Sequence, residues 1–365
     1  MVDRISTTTR YAQLVADMKM NEYNFNKLTA QLSSGKKFTS ITEDPIASVN
    51  ILNTNRQLGQ IETFEQNVGM AEAELAALDD LMSLATGYLS NAWDRAIQAN
   101  TQTYGNDSLE ALKTEIDEII KTMVDLANTE YNDNYIFSGA NTKTAAYTID
   151  ENGDIIYNGT PHSNPDYIRQ TEVADGVFEV INTTGDKIFG WYSDAQAQTE
   201  DGKNIFLDAE GKEVYETVLD DGTKTYAYAD NTPFDVAKFD ELEPKTDCSG
   251  ALGALKMLSN SIQMVLDGNT AEGYKKMNST LDMFAESHNS ILNEQTKFGG
   301  VANRLEMTNS TLETSNENLT SYLSNIQEVD YAQAVTQWMN AQYAYQASMQ
   351  IASASMNMSL LNYMQ

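Results

Sequence analysis

Through the first and last parts of this 365-residue chain, apolar residues return every three or four positions. That is the period of a helix burying one side. Tyr11, Leu14, Met18, Asn21, Phe25, Leu28 and Leu32 keep this step until Ser33-Ser34-Gly35, where glycine supplies a C-terminal stop. A polar link from Lys36 to Asp44 follows, and Pro45 then stands where the first turn of a new helix tolerates it. Leu58, Ile61, Val68, Leu75, Leu78, Met82, Ala85, Leu89, Ala92, Ala96 and Ala99 continue the rhythm. Unbroken from 46 to 100, that helix is about 80 Å long. A further helix is predicted over 107–130, with Leu109, Leu112, Ile116, Ile119 and Met123 on its apolar side.

The last part answers the first. Leu252, Leu255, Leu258, Ile262 and Leu266 open a second arm, and Leu281, Phe284 and Ile291 carry it on. Phe298, Leu305, Leu312, Leu319 and Ile326 then stand seven apart, beside companion positions Val301, Thr308, Ser315, Tyr322 and Val329 that are half polar. Such a seam gives up stability for register or exchangeability. In the tail, apolar residues recur at Val335, Trp338, Tyr345, Met349, Ala352, Met356, Leu360 and Tyr363, yet no charged residue occurs from Tyr331 onward. A lone surface helix keeps a charged, wet face. This tail is therefore predicted to be surrounded by protein. Leu14, Met18, Phe25, Leu28 and Leu32 at one end and Val335, Trp338, Tyr345, Met349, Met356, Leu360 and Tyr363 at the other form the candidate assembly interface. Short isolated helices are marginal because nucleation is costly, so these ends are expected to pair with each other and with neighbouring copies.

The middle reads differently. The chain's five prolines leave 46–160 and 245–365 free of proline and open to long helices. Between them lie short runs such as Asp154–Tyr157, Val177–Ile181, Val214–Leu219 and Lys224–Tyr228. Turn pairs at Asp175-Gly176, Asp201-Gly202, Glu210-Gly211 and Asp221-Gly222 separate them as in hairpins. The predicted fold is mainly α, a long antiparallel helical bundle or coiled-coil rod built from both chain ends, with an antiparallel β insert. Residues 1–45 and 331–365 are expected as paired terminal helices, 46–140 and 248–330 as the helical rod, and 141–247 as the insert.

A net charge of -30 argues against nucleic acid, whose phosphates need clustered cations, and against an anionic membrane surface. No apolar run is long enough to span a bilayer, and the opening residues lack the apolar core of a cleavable signal. The single cysteine, Cys248, excludes an internal disulfide framework. His162 and His288 have no ligand-spaced partners, so no metal site is expected. Asp150, Asn152 and Asp154 faintly suggest a calcium loop, but the glycine is misplaced and the closing glutamate missing; a β-turn accounts better for them. No catalytic or cofactor motif is found. An enzyme carried on the β insert remains the reading from another class, and Asn158, Asn278 and Asn309 head sequon-like triplets.

Gln31-Leu32-Ser33-Ser34-Gly35-Lys36-Lys37 followed by Glu43-Asp44-Pro45-Ile46-Ala47 resembles the opening of bacterial flagellins and their relatives. Phe298-Gly299-Gly300-Val301-Ala302-Asn303-Arg304-Leu305-Glu306 is similar to that family's returning helix, and Tyr345–Gln350 with Leu360–Met364 to its ending. The resemblance covers both arms and leaves the β insert unmatched. Within the superfamily, Arg4–Thr7, Tyr135–Gly139 with Thr142, and Glu328–Ala334 resemble the hook–filament junction branch, with Glu328 and Gln333 where Asp and Glu are commoner. The resemblance implies a structural adaptor without cofactors, a ring of copies between a hook-associated protein on the hook side and flagellin on the filament side. It further implies unfolded export through the flagellar type III channel with an export chaperone, terminal helices lining the inner tube, and an outward-facing insert. A filament-forming or minor flagellin is the nearest alternative.

Overall fold

The computed structural model describes residues 7–38, 40–101, 103–199, 201–208, 212–218, 223–230, 232–234 and 242–363, with backbone alone at 7, 8, 10, 11, 243 and 355–363. The predicted stops and starts fall where local chemistry puts them. Helix α1 (Thr7–Ser34) ends as Gly35 turns to a φ of 71°, a left-handed position that glycine takes without strain. Helix α2 (Pro45–Asn100) begins where the Asp44 carboxylate accepts the Ala47 N–H at 2.9 Å and Pro45 leaves no N–H to satisfy. It then runs unbroken to Asn100, as its periodicity predicts. Helix α3 (Asn106–Ala127) stops short of residue 130. Asn128 instead spends its side chain on the next element, donating to the Tyr147 carbonyl at 3.0 Å and accepting the Tyr147 N–H at 2.8 Å.

Short strands follow: β1 (Glu130–Tyr131), β2 (Asn134–Tyr135), β3 (Tyr147–Ile149), β4 (Ile155–Tyr157), β5 (Gln170–Ala174) and β6 (Val177–Val180). After a helical turn, α4 (Gly185–Ile188), come β7 (Trp191–Gln196), β8 (Ile205–Leu207), β9 (Glu213–Val218), β10 (Lys224–Tyr228), β11 (Glu243–Pro244) and β12 (Thr246–Ser249). All pairings are antiparallel, in sheets ordered β12-β7-β4-β3 and β10-β9-β8-β11 and in hairpins β1-β2 and β5-β6. The expected turn at Asp175-Gly176 joins β5 to β6; those at Glu210-Gly211 and Asp221-Gly222 lie outside the described residues. The Tyr135–Gly139 segment ends the two-residue strand β2 and then turns. Its Phe137 leaves the sheet direction to meet Phe189 edge-on at 4.9 Å in the core.

The chain returns through α5 (Gly250–Leu266), α6 (Thr270–Gln327) and α7 (Tyr331–Tyr363). The second arm is therefore not one helix, because Gly268, at a φ of 97°, turns the chain between α5 and α6. Two compact units result, one formed by residues up to Glu65 with Ser310 onward and the other by Gln66–Asn309. In the latter, four helical segments share a core of Val68, Leu78, Leu89, Ile116, Leu255 and Phe284. Polar bonds tie their edges: Arg95 to Glu115 at 3.0 Å, Ser259 to Asp117 at 2.5 Å, Gln295 to Asp79 at 3.2 Å.

The β elements are fastened to this bundle by ion pairs whose carboxylates are buried or half-buried. Arg304 on α6 grips the Glu179 carboxylate of β6 through two bonds of 2.8 and 2.6 Å, and Arg169 pairs with Glu74 of α2. Glu294, 5% exposed on α6, takes Lys187 of α4 at 2.6 Å, Thr183 at 3.3 Å and Lys297 at 3.5 Å. Burial alone would raise its carboxyl, but the Lys187 hydrogen bond and the Lys297 charge outweigh burial and hold it below its ordinary 4.5. Where β7 and α5 begin, Gly190 and Gly250 bring their backbones together; a Cβ on Gly190 would lie 1.9 Å from the Ser249 carbonyl oxygen.

Two outcomes follow. Gly190→Ala must place a side chain at a φ of 72° against backbone and is expected to lower stability by upward of about 2 kcal/mol, read as the urea midpoint of the circular dichroism. Since Glu294 is held low in the folded state, the unfolded chain binds that proton more tightly. Its stabilisation is complete above 4.5 and disappears as pH falls through the lowered folded value. Glu294→Gln should thus be less stable than the parent near neutrality, with the gap closing in strong acid. An unchanging gap would refute the assignment.

Candidate assembly surface

The two linkers flanking the terminal helices pair with each other. Lys36 and Glu328 form an antiparallel bridge, the Lys37 N–H donates to the Gln327 carbonyl at 2.8 Å, and the Val329 N–H to the Gly35 carbonyl at 2.9 Å. The Lys37 ammonium adds a 2.5 Å bond to the Asn325 carbonyl, and the Gln31 amide donates to the Lys37 carbonyl. Asp330 caps α7, accepting the N–H groups of Ala332 and Gln333 at 3.0 and 3.2 Å. Tyr331 lays its hydroxyl over Gly35, 2.7 Å from where a Cβ would stand. The segments around Gly35 and Asp330, noticed separately in the sequence, are thus two halves of one clasp.

Beyond the clasp α1 and α7 run antiparallel with Cα pairs within 8 Å. So close an approach needs small residues on one side. On α7 these are Ala334 and Ser348, both buried, and the half-buried Ala341, spaced by seven. Phe25 packs between Trp338 at 5.8 Å and Tyr345 at 5.9 Å, the latter nearly parallel. The Trp338 indole N–H donates to the Thr29 hydroxyl at 2.9 Å, which in turn donates to the Phe25 carbonyl at 2.8 Å.

Leu14, Met18, Phe25, Leu28, Leu32, Trp338 and Tyr345 are all half-buried, and the last two meet Phe25. Val335 and Met349 are exposed, at 37% and 48%. The side chains of Met356, Leu360 and Tyr363 lie outside the described residues. Sequence reasoning missed Ala334, Ala341 and Ser348, whose seven-residue spacing was visible but carries no hydrophobic signal. Tyr331, Val335, Met339 and Tyr343, one helical turn apart, are left facing water, Tyr343 at 67% exposure. With Met20 and Tyr23 of α1 also exposed, the pair buries one apolar side and offers others.

The remaining candidate chemistry is used internally. Asp150 accepts the N–H groups of Asn152 and Asp154 at 2.9 and 2.8 Å, the bonds of a turn. The Asp154 carboxylate binds Ser193 and the Asp194 N–H. His288 lies beside Trp93, and His162 against Tyr167, its basicity lowered by burial and the Lys187 charge. Burial pushes the Cys248 thiol up to about 11, away from reactivity. A cavity of about 650 Å³ beside α5 and α6 is lined by Tyr192, Cys248, Met257 and Met283 among others. Among the described residues, no group of three or more His, Cys, Asp or Glu side chains is placed to hold a metal, and no helix is long and apolar enough to cross a membrane.

Both ends of the chain carry a known sequence pattern, and both helices of the pair fall within it. Residues 5–142 match the bacterial flagellin N-terminal helical region and residues 281–364 the bacterial flagellin C-terminal helical region. The chain belongs to the bacterial flagellin family. Among its relatives is the flagellar hook-associated protein 3 of Escherichia coli (strain K12), 27% identical over 187 residues, or 51% of this chain and 56% of that protein. The flagellar hook-associated protein 3 of Salmonella typhimurium is 27% identical over 209 residues, 56% of this chain and 63% of that protein. Both matches span less than two thirds of the relative's length. A solved structure, flagellar hook associated protein-3 from Legionella pneumophila, shares the fold at a TM-score of 0.55 and 18% identity, over 76% of this chain and 98% of that one.

Gly35→Ala tests the clasp. It sets a side chain in the left-handed region, at about 1–2 kcal/mol, and drives it against Tyr331. The α1–α7 pair should loosen while Gln66–Asn309 stays folded, seen as faster proteolysis in 36–44 with little change in the main unfolding transition.

Proposed function

We propose that this chain is a structural, non-enzymatic component of the bacterial flagellum, a junction adaptor between a hook-associated protein on the hook side and the flagellin filament. The observation that carries the reading is the α1–α7 pair, whose outer helix has no charged residue from Tyr331 onward yet exposes Tyr331, Val335, Met339 and Tyr343. Such a surface in water is unfavourable by roughly 25 cal/mol per Å² of apolar area, a cost removed only when other protein covers it. The flagellin patterns at both ends and the hook-associated protein 3 relatives support the same reading. In this proposal residues 1–45 and 331–365 are the assembly helices, 46–140 and 248–330 the helical body, and 141–247 the outward insert. Leu14, Met18, Phe25, Leu28, Leu32, Val335, Trp338, Tyr345, Met349, Met356, Leu360 and Tyr363 serve assembly within a ring of copies. The protein reaches its extracellular place through the flagellar export channel, escorted by a chaperone.

Deleting 331–365 is expected to leave the β elements and bundle folded by circular dichroism while abolishing incorporation into flagella. Label on the insert of the intact chain should mark the hook end of isolated flagella. Label along the whole filament, or growth of long filaments from the purified chain alone, would favour a filament-forming flagellin instead.

A further inference from the structure

A second uncharged stretch of the chain turns three of its four large apolar residues outward and leaves Ile51 half-buried on the inner side. From Pro45 to Asn55 no residue is charged, and this stretch forms the first turns of α2. A helix folding for itself turns its large apolar residues inward. Here Ser48 and Thr54 are buried, at 8% and 3% exposure, while Ile46, Val49 and Leu52 face out at 78%, 54% and 60%. Ile41, in the linker just before, is exposed as well. The outer side of α2 in this unit is therefore an apolar face that the described residues of its own unit do not cover.

We propose that this face receives the exposed flank of α7, Tyr331, Val335, Met339 and Tyr343, from a second copy of the chain. The inference rests on the assembly reading above and adds the pair of surfaces that meet. Charge selects the occupant. At a net charge of -30, two copies repel wherever their acidic surfaces approach. The stretches 45–55 and 331–365 carry no charge, and each leaves several large apolar side chains exposed within the same compact unit. Copies meeting there bury apolar area on both sides without bringing carboxylates together. The two patches are different surfaces of one molecule, so each copy still offers one free patch after binding. Contacts of that heterologous type propagate from copy to copy, closing into a ring or winding into a helix.

The test uses full-length chains in a Cys248→Ser background, one carrying Val49→Cys and the other Met339→Cys, co-expressed and recovered in isolated flagella. Both positions are exposed, so neither change disturbs the core. Oxidation is expected to give a disulfide-linked dimer when both chains are present and none above background with either alone. Both chains present without a mixed dimer, or dimers of equal yield from one chain alone, would overturn the pairing while leaving assembly intact. Absence of the unsubstituted chain from flagella would instead overturn the assembly reading itself. As a second measure, Val49→Asp should retain its far-ultraviolet circular dichroism and incorporate poorly; unimpaired incorporation also overturns the pairing.

Discussion

The first half of the chain packs against the second half in reverse order, and that antiparallel nesting governs everything else. Within one unit α1 pairs with α7, and Asn316 of α6 bonds Glu65 of α2 at 3.3 Å. Within the other, Gln295 bonds Asp79, Asn100 bonds Asn278 and Ser259 bonds Asp117, each pair drawn from opposite halves of the sequence. Closing such long loops costs conformational entropy, although each doubling of loop length adds only about 0.6 kcal/mol. The bundle meets that cost with fully buried residues such as Leu78, Met82, Phe284 and Leu305. Among its described residues the terminal pair has no comparable core. It relies on the backbone clasp at Gly35–Lys37 and Gln327–Val329 and on one aromatic stack.

Charge divides the molecule as sharply as packing does. Ion pairs such as Arg304–Glu179, Lys187–Glu294 and Lys224–Glu216 lie among the β elements and where they join the bundle. There carboxylates are partnered and their burial is compensated. Neither α7 nor the opening of α2 has a charge to spend. One set of surfaces therefore stays apart in water at neutral pH, and the other is free to come together.

Much of the architecture was legible from residue pattern. Gly35, Asp44-Pro45 and the long apolar rhythm from Leu58 to Ala99 marked helix ends and a continuous helix because those signals act within a turn or two. Hairpin signals at Asp175-Gly176 worked for the same reason. The turn at Gly268 was overlooked, since apolar spacing resumes on both sides of it and glycine alone inside a helical pattern is ambiguous. On α7, Val335 and Met349 were grouped with Trp338 and Tyr345 on spacing. Without charges to mark the wet side, nothing in the sequence distinguishes the face toward α1 from the face away from it.

By itself the sequence determined most helix ends, the Asp175-Gly176 hairpin and which family the chain belongs to, because capping, periodicity and residue pattern are local or additive properties. Only the tertiary structure decided that Ala334, Ala341 and Ser348 make the seam, that Ser48 and Thr54 turn inward while Ile46, Val49 and Leu52 turn out, and that Arg304 reaches Glu179. Those are matters of how closely two backbones approach and which side chains then fit between them, and distant partners set that distance.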